Sequence, residues 1–239
     1  MKLAVLFIGT NKYANFLPSW YESCEKYLVP KVEKKYFVFT DGELQGTPDN
    51  IVPYYQEHLP WPLITLKRWD TILKASDELE NFDYVLFLDA DTRVVTEVSE
   101  IDLLTEKKYI GVHHPCHYLG MTPHNKYPGA FETREDSTAG IVDGDDTSVY
   151  FQGCLWGGKV PYVLDMVREL DRRTMNDYDR DVIAVWHDES QMNKFFSERR
   201  EDINVLGPQF AYPEVFSQYC DEFDPVIVHL AKNNSEYQI

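Results

Sequence analysis

Apolar positions in this chain fall into blocks that change period. KLAVLFIG (Lys2–Gly9), YFVFTD (Tyr36–Asp41) and DYVLFLDAD (Asp83–Asp91) are near-continuous apolar runs that end on Gly or polar residues. That is the pattern of strands buried on both faces. YIGVHHP (Tyr109–Pro115) and SVYFQGCLWGG (Ser148–Gly158, ending on a Gly pair) read as further strands, and DINVLGP and PVIVHLAK as short closing ones. Helical spacing appears after Pro18, where Trp20, Cys24, Tyr27 and Leu28 share a face. It recurs in LITLKRWDTILKASDELE, with Leu66, Trp69, Ile72, Leu73 and Leu79 as one amphipathic stripe, and in VPYVLDMVRELDRRT and DESQMNKFFSERR. Strands alternating with helices predict an α/β fold with an open, mostly parallel, Rossmann-like sheet flanked by helices. Ligands bind such sheets beyond the carboxyl ends of their strands. Thr10–Tyr13, Thr40–Asp41 and Asp89–Asp91 therefore mark the functional edge. Strand order is not readable from the pattern.

No repeat, low-complexity tract or linker divides the 239 residues, which predicts one domain over residues 1–239. Charge narrows the partners. Against 40 acidic residues stand 23 Lys and Arg, a formal charge of −17. Nucleic acid and anionic membranes both favour a basic footprint, so neither is expected here. MKLAVLFIGTNKY lacks the apolar length and cleavage site of a secretory signal, and no stretch approaches the ~20 apolar residues of a membrane span. Cys24, Cys116, Cys154 and Cys220 show no CxxC pairing, which predicts reduced thiols in a cytoplasmic setting.

The chemistry concentrates at DAD. Residues i and i+2 of an extended segment point the same way, so Asp89 and Asp91 aim two carboxylates past one strand tip. Such a pair either binds a hard divalent cation, Mn²⁺ or Mg²⁺, or caps the following turn. Two enzyme motifs fit the same letters. The DxDx[TV] of haloacid-dehalogenase phosphatases, with Asp as nucleophile, would make this a metal-dependent phosphatase or nucleotide-sugar hydrolase. Arg93 occupies its fifth position, however, and the motif lies deep in the chain. The DxD of sugar-nucleotide transferases, where a cation meets a diphosphate, suits the location better.

In WHDES (Trp186–Ser190), Asp188 and Gln191 have capping-box spacing, and Met192, Phe195 and Phe196 supply a buried helix face; taken alone, the segment is structural. The residue types of HHPCH (His113–His117) suit a metal, but Pro115 and the strand context argue against zinc. DGDD (Asp143–Asp146) reads as an exposed acidic turn. Gly157 and Gly158 suit either a ligand's close approach or a tight turn.

Read in order, these segments resemble the retaining glycosyltransferases of family 6, the family of the ABO blood-group transferases and the α1,3-galactosyltransferase. The matching pieces are KY (Lys12–Tyr13), YFVFTD, KRW (Lys67–Trp69), DYVLFLDAD, HP (His114–Pro115), FQGCLWGG (Phe151–Gly158), AVWHDES (Ala184–Ser190) with NK (Asn193–Lys194), and AKN (Ala231–Asn233). AVWHDES with a correctly spaced upstream DxD is the specific part.

The resemblance implies a GT-A fold, a UDP-galactose or UDP-N-acetylgalactosamine donor, and α1,3 transfer to an oligosaccharide ending in β-galactose, fucosylated or plain. It reverses the structural reading of WHDES. Glu189 becomes the catalytic carboxylate facing the donor's anomeric carbon, as a covalent nucleophile or as the stabiliser of an ion pair, and it also borders the acceptor. Asp188 binds the transferred sugar, and His114 and Trp186 line the acceptor pocket. Asp89 and Asp91 hold Mn²⁺ (or Mg²⁺) on the diphosphate near Arg68. Ile8, Thr10 and Tyr13 form the uridine pocket, and Lys232 closes over the diphosphate. Gln152, Gly153 and Cys154 choose the donor sugar, leaning to N-acetylgalactosamine because Gly153 leaves space.

Mammalian members carry a transmembrane anchor and stem. The match here begins at the first residues, which implies a soluble, bacterial- or phage-type member. An Arg of the family's closing tail has no counterpart, leaving Tyr237 as a partial substitute. FETREDSTAGIVDGDD (Phe131–Asp146) matches only loosely.

Overall fold

The computed structural model describes residues 1–121, 129–220 and 222–233, with backbone alone for Phe216 and Tyr219. Tyr237 lies outside the described residues.

Seven strands form the main sheet. They are β1 (Lys2–Ile8), β2 (Glu33–Thr40), β3 (Ile51–Tyr55), β4 (Tyr84–Leu88), β6 (Tyr109–His113), β7 (Phe151–Lys159) and β8 (Ile203–Leu206), in the order β3-β2-β1-β4-β7-β6-β8. Pairings are parallel except those of β7, which runs antiparallel to both neighbours. A smaller sheet joins β5 (Thr92–Val94), β10 (Ile227–His229) and β9 (Tyr212–Pro213). The helices are α1 (Leu17–Tyr27), α2 (Leu63–Leu66), α3 (Arg68–Leu73), α4 (Ser76–Leu79), α5 (Glu100–Leu103), α6 (Pro115–Tyr118), α7 (Val160–Tyr178) and α8 (His187–Ser197).

Burial on both sheet faces explains the unbroken apolar runs. Leu3, Val5 and Phe7 of β1 enter a core with Trp20 and Cys24 of α1. Ala4 and Leu6 enter a second core with Trp69 of α3, Val163 and Val167 of α7, and Met192 and Phe196 of α8. At ~25 cal/mol per Å² of apolar surface, each fully buried large side chain stabilises by roughly 1.5–3 kcal/mol.

The pattern reading needs corrections. The single amphipathic helix of residues 63–80 is three short ones, yet Leu66, Trp69, Ile72 and Leu79 are all buried. Lys67 (φ −90°, ψ 11°) breaks the first junction, and the Thr71 hydroxyl back-bonds to the Lys67 carbonyl. The Pro-rich passage contains β3, an edge strand on which Pro53 is tolerated. Gly157 and Gly158 lie within β7 rather than in a turn. A Cβ on Gly157 would stand 2.2 Å from the Val85 carbonyl oxygen of β4, and one on Gly158 2.2 Å from the Lys108 carbonyl oxygen beside β6. Of the two closing strands, β8 joins the main sheet and β10 the small one.

Candidate active site

The sheet edge where β1 and β4 end opens into a cleft with two halves. One, of about 250 Å³, includes Ile8, Thr10, Tyr13, His58 and Trp61. The other, of about 540 Å³, includes His114, Gln152, Gly153, Cys154, Trp186, Asp188 and Glu189. Arg68, Asp89, Asp91 and Lys232 border both. Every site residue expected from the sequence therefore faces one cleft.

Pairing dictates this convergence. The Asp89 N–H still donates to the Cys154 carbonyl (2.9 Å), extending the β4–β7 ladder and setting Asp89 beside Gly153. Thr92 opposes His229 in the antiparallel β5–β10 pair, and Leu230 N–H donates to the Asp91 carbonyl. His229 is thereby delivered to Asp91 across 138 residues, its Nε2 3.1 Å from Asp91 Oδ2. Ligand atoms of Asp89, Asp91 and His229 lie within 4.8 Å of one another. Two hard oxygen donors and one imidazole suit Mn²⁺ or another divalent first-row ion.

Lys232 Nζ contacts Asp91 Oδ2 and lies 4.8 Å from the centre of the Tyr13 ring. Burial acts to raise the Asp91 pKa, yet His229 and Lys232 hold it well below the ordinary carboxylate range. Burial raises that of Asp89, partly offset by Arg68. Asp91 reads as a charge already compensated by cations.

The second carboxylate group is positioned by α8. Asn193 mimics a strand neighbour: its Nδ2 donates to the Phe151 carbonyl (2.8 Å) and its Oδ1 accepts from Phe151 N–H (2.7 Å). Glu189, one turn earlier, is then brought against β7. Its Oε2 accepts from Gly153 N–H (2.7 Å) and its Oε1 from the Tyr150 hydroxyl (2.9 Å). Burial pushes the Glu189 pKa up to about 7, against those two donors. Asp188 does not cap the helix; it pairs with Arg68 Nη1 at 2.9 Å, which replaces the capping-box reading. Arg68 also donates to Asp89 Oδ1 (3.1 Å) and to the Gly153 carbonyl (3.1 Å), so one guanidinium joins both carboxylate groups.

Gly153 presents its α-carbon to this assembly, where a Cβ would meet Glu189 Oε2 at 3.4 Å and Arg68 Nη1 at 3.6 Å. Gln152 turns instead towards His229, its Nε2 3.2 Å from Nδ1. The buried Gln152 Oε1 and Trp186 Nε1 find no partner among the described residues. His114 Nδ1 accepts from Cys116 N–H, and burial lowers its pKa to about 3, so its ring is neutral. His113 Nε2 and His117 Nδ1 are 2.9 Å apart, paired with each other. The DGDD turn is less exposed than expected, because Asp145 makes a buried ion pair with Lys194 (2.6 Å).

His229, Tyr150, His58 and Trp61 were not foreseen. The Thr10 hydroxyl pairs with His58 Nδ1 (2.9 Å), and Trp61 lies edge-on to His187. No local spacing announces any of them.

An α/β sheet carrying two aspartates at a central strand tip, facing a helix-borne Glu across one cleft, has the GT-A fold of sugar-nucleotide transferases. Residues 1–237 match the model of glycosyltransferase family 6, and the chain belongs to that family. The O-antigen biosynthesis glycosyltransferase WbnI of Escherichia coli is 30% identical over 223 residues, covering 92% of each chain. Human globoside alpha-1,3-N-acetylgalactosaminyltransferase 1 is 25% identical over 90% of this chain and 62% of its own length. A rat histo-blood group ABO system transferase 2 is 24% identical over 89% and 64%, respectively. Family membership displaces the phosphatase reading of Asp89 and Asp91. Among the described residues no helix is long and apolar enough to cross a membrane.

Proposed function

We propose that this protein transfers galactose or N-acetylgalactosamine from a UDP-sugar to the 3-hydroxyl of a β-galactoside, with retention and with Mn²⁺ (or Mg²⁺) as cofactor. The observation that carries the reading is the single cleft in which Asp89, Asp91 and His229 face Glu189 across Arg68. Ile8, Thr10 and Tyr13 receive the uridine, and Arg68 and Lys232 the diphosphate. Asp188, Gln152, Gly153 and Cys154 surround the transferred sugar, while His114, Trp186 and Glu189 border the acceptor.

In the net reaction, the bond from the sugar's anomeric carbon to the β-phosphate oxygen breaks and its electron pair leaves on UDP. The acceptor oxygen bonds that carbon, and its proton departs with UDP. A divalent ion held by Asp89, Asp91 and His229 would neutralise charge growing on the diphosphate. Lys232 adds charge there when it turns from Asp91 to the phosphates. Glu189 supplies negative charge to the cationic sugar, either bonding to it or stabilising it as an ion pair. Its oxygens are already oriented by Gly153 and Tyr150, so little reorganisation accompanies the charge change.

The absence of a side chain at Gly153 and the similarity to human globoside alpha-1,3-N-acetylgalactosaminyltransferase 1 both favour N-acetylgalactosamine. Residues 1–239 are read as one catalytic domain, and the buried free cysteines suit a cytoplasmic enzyme. The test incubates the protein with UDP-galactose or UDP-N-acetylgalactosamine, with and without Mn²⁺, over plain and fucosylated galactosides. An α1,3-linked product requiring Mn²⁺ is expected. Release of free sugar or phosphate without product on any acceptor would overturn the reading.

A further inference from the structure

The segment from Ala130 to Tyr150 contains no helix or strand, yet it grips the entry to α8. A connection this long without regular structure usually serves a function. Glu132 is buried, 3% exposed. Its Oε1 accepts from Thr133 N–H, Arg134 N–H and Arg134 Nε (3.0, 2.9 and 3.1 Å), and its Oε2 from Arg134 Nη2 and Val185 N–H (both 2.8 Å). Arg134 Nη2 also donates to the Ile183 carbonyl. One carboxylate–guanidinium pair thus holds an N–H and a C=O of the loop that delivers Trp186, Asp188 and Glu189.

That loop needs holding. His187 sits at φ 51°, in the left-handed region that non-glycine residues rarely adopt. Farther along, Ser137 Oγ and Thr138 N–H donate to Asp177, and Gln191 of α8 joins the same carboxylate. Those contacts and the Asp145–Lys194 pair fix the outer face of α8 past Glu189. Glu132 and Arg134 grip the chain just ahead of it. The Trp186 carbonyl accepts from Glu189 N–H (3.0 Å), so a shift at Val185 passes directly to the catalytic carboxylate. Burial acts to raise the Glu132 pKa, but Arg134 and the N–H donors hold it near 2, keeping the clamp charged at working pH.

Resting on the transferase reading above, we propose that Glu132, through Val185 N–H and the Arg134 guanidinium, is a positioning residue that sets Trp186 and Glu189 against the acceptor. It leaves the nucleotide half of the cleft alone, because its contacts reach the α8 entry and none of the uridine or metal side chains. A misplacement of about 1 Å at such a site costs on the order of 100-fold in rate.

The test is Glu132→Gln, which keeps the shape but turns an N–H donor towards Val185 N–H or Arg134. Expected are a roughly 10- to 100-fold fall in transfer kcat and a severalfold rise in acceptor KM, with calorimetric UDP affinity within about twofold. Donor hydrolysis relative to transfer should rise about fivefold or more, since water needs no contact with Trp186. Glu132→Asp, still charged, should recover part of the loss. Val38→Ala, in the sheet core, controls for destabilisation: it lowers Tm and leaves the hydrolysis-to-transfer ratio unchanged. Should Glu132→Gln fail to fold, the half-exposed Arg134→Gln carries the same expectation at smaller size.

A wild-type ratio and acceptor KM in these variants, or losses that only track Tm, would overturn the proposal. Hydrogen exchange judges the clamp apart from the transferase reading. Amides 183–189 should exchange faster in Glu132→Gln, and unchanged exchange sinks the clamp even if the wild-type protein proves inactive on every acceptor.

Discussion

The two carboxylate groups of the cleft treat the same charge in opposite ways. Asp91 is held by cations, with Lys232 and His229 against one oxygen, and its pKa falls. Glu189 is held by a neutral amide and a neutral hydroxyl, and burial lifts its pKa to about 7. A group already balanced by tethered cations is suited to exchanging them for a metal ion and a diphosphate. One kept half-buried without a cation of its own is suited to a positive charge that exists only during the reaction. Arg68 separates the two by pairing with Asp89 and Asp188 while its guanidinium rests on the Phe87 ring, 4.6 Å from the centre.

The contrast breaks first at the metal side. EDTA should abolish transfer and Mn²⁺ restore it, and Asp91→Asn should bind Mn²⁺ at least ~10-fold more weakly by calorimetry, given the loss of a charged hard ligand. Full activity in chelator would remove the aspartate pair from its role. On the other side, Glu189→Gln should lower kcat by about 1,000-fold, the size of losing a preorganised electrostatic contact in the transition state. UDP affinity should stay near wild type, because the role proposed for the carboxylate is at the reacting carbon. Initial rates with calorimetry separate the two effects, and near-normal transfer would take Glu189 out of the mechanism.

How much of this was legible before the structure follows from the range of each interaction. Buried strands announce themselves through uninterrupted apolar runs, so β1, β2 and β4 and the carboxylates at the last tip were readable. Helical periodicity reports which residues face inward and says nothing of backbone continuity, so Leu66, Trp69, Ile72 and Leu79 were identified while the breaks at Lys67 and Lys74 were not. The need for glycine at 157 and 158 comes from backbone atoms of neighbouring strands. His229 meets Asp91 through β-pairing between distant segments, which leaves no spacing to detect. The roles proposed for Glu189 and Asp188 rest on family resemblance alone, since the local pattern suggests a helix cap.

Stability gives a smaller test of the same contrast, read without metal or donor. The Glu189 pKa is raised from 4.5 to about 7, so the folded state binds more protons than the unfolded one between those values. Its contribution to stability therefore falls as pH rises through that window and is most unfavourable above pH 7, by about 3 kcal/mol. Glu189→Gln keeps an acceptor for Gly153 N–H and removes the titration. It should gain roughly 2–3 kcal/mol over wild type between pH 5 and pH 8 in urea melts. Asp188, Asp89, Arg68 and Tyr150 face the same group in both proteins, so their titrations largely cancel in the difference. A gain that does not change with pH would mean that Glu189 carries no burial penalty.

The smallest effect isolates one hydrogen bond. Tyr150→Phe keeps the ring packed against His114, His117 and Phe131 and deletes only the hydroxyl that donates to Glu189 Oε1. A hydrogen bond to a charged acceptor is worth about 1.5–3 kcal/mol, and Gly153 N–H still holds the other oxygen, so kcat should fall about 10-fold. Without the hydroxyl the ionised form of Glu189 loses a donor, and its pKa should climb further. The deficit should accordingly be larger at pH 6.5, where more of the variant is protonated, than at pH 9, where Glu189 is ionised in both proteins. A deficit equal at the two pH values would show that Tyr150 orients the carboxylate without governing its charge, and the contrast with Asp91 would then rest on burial and Gly153 alone.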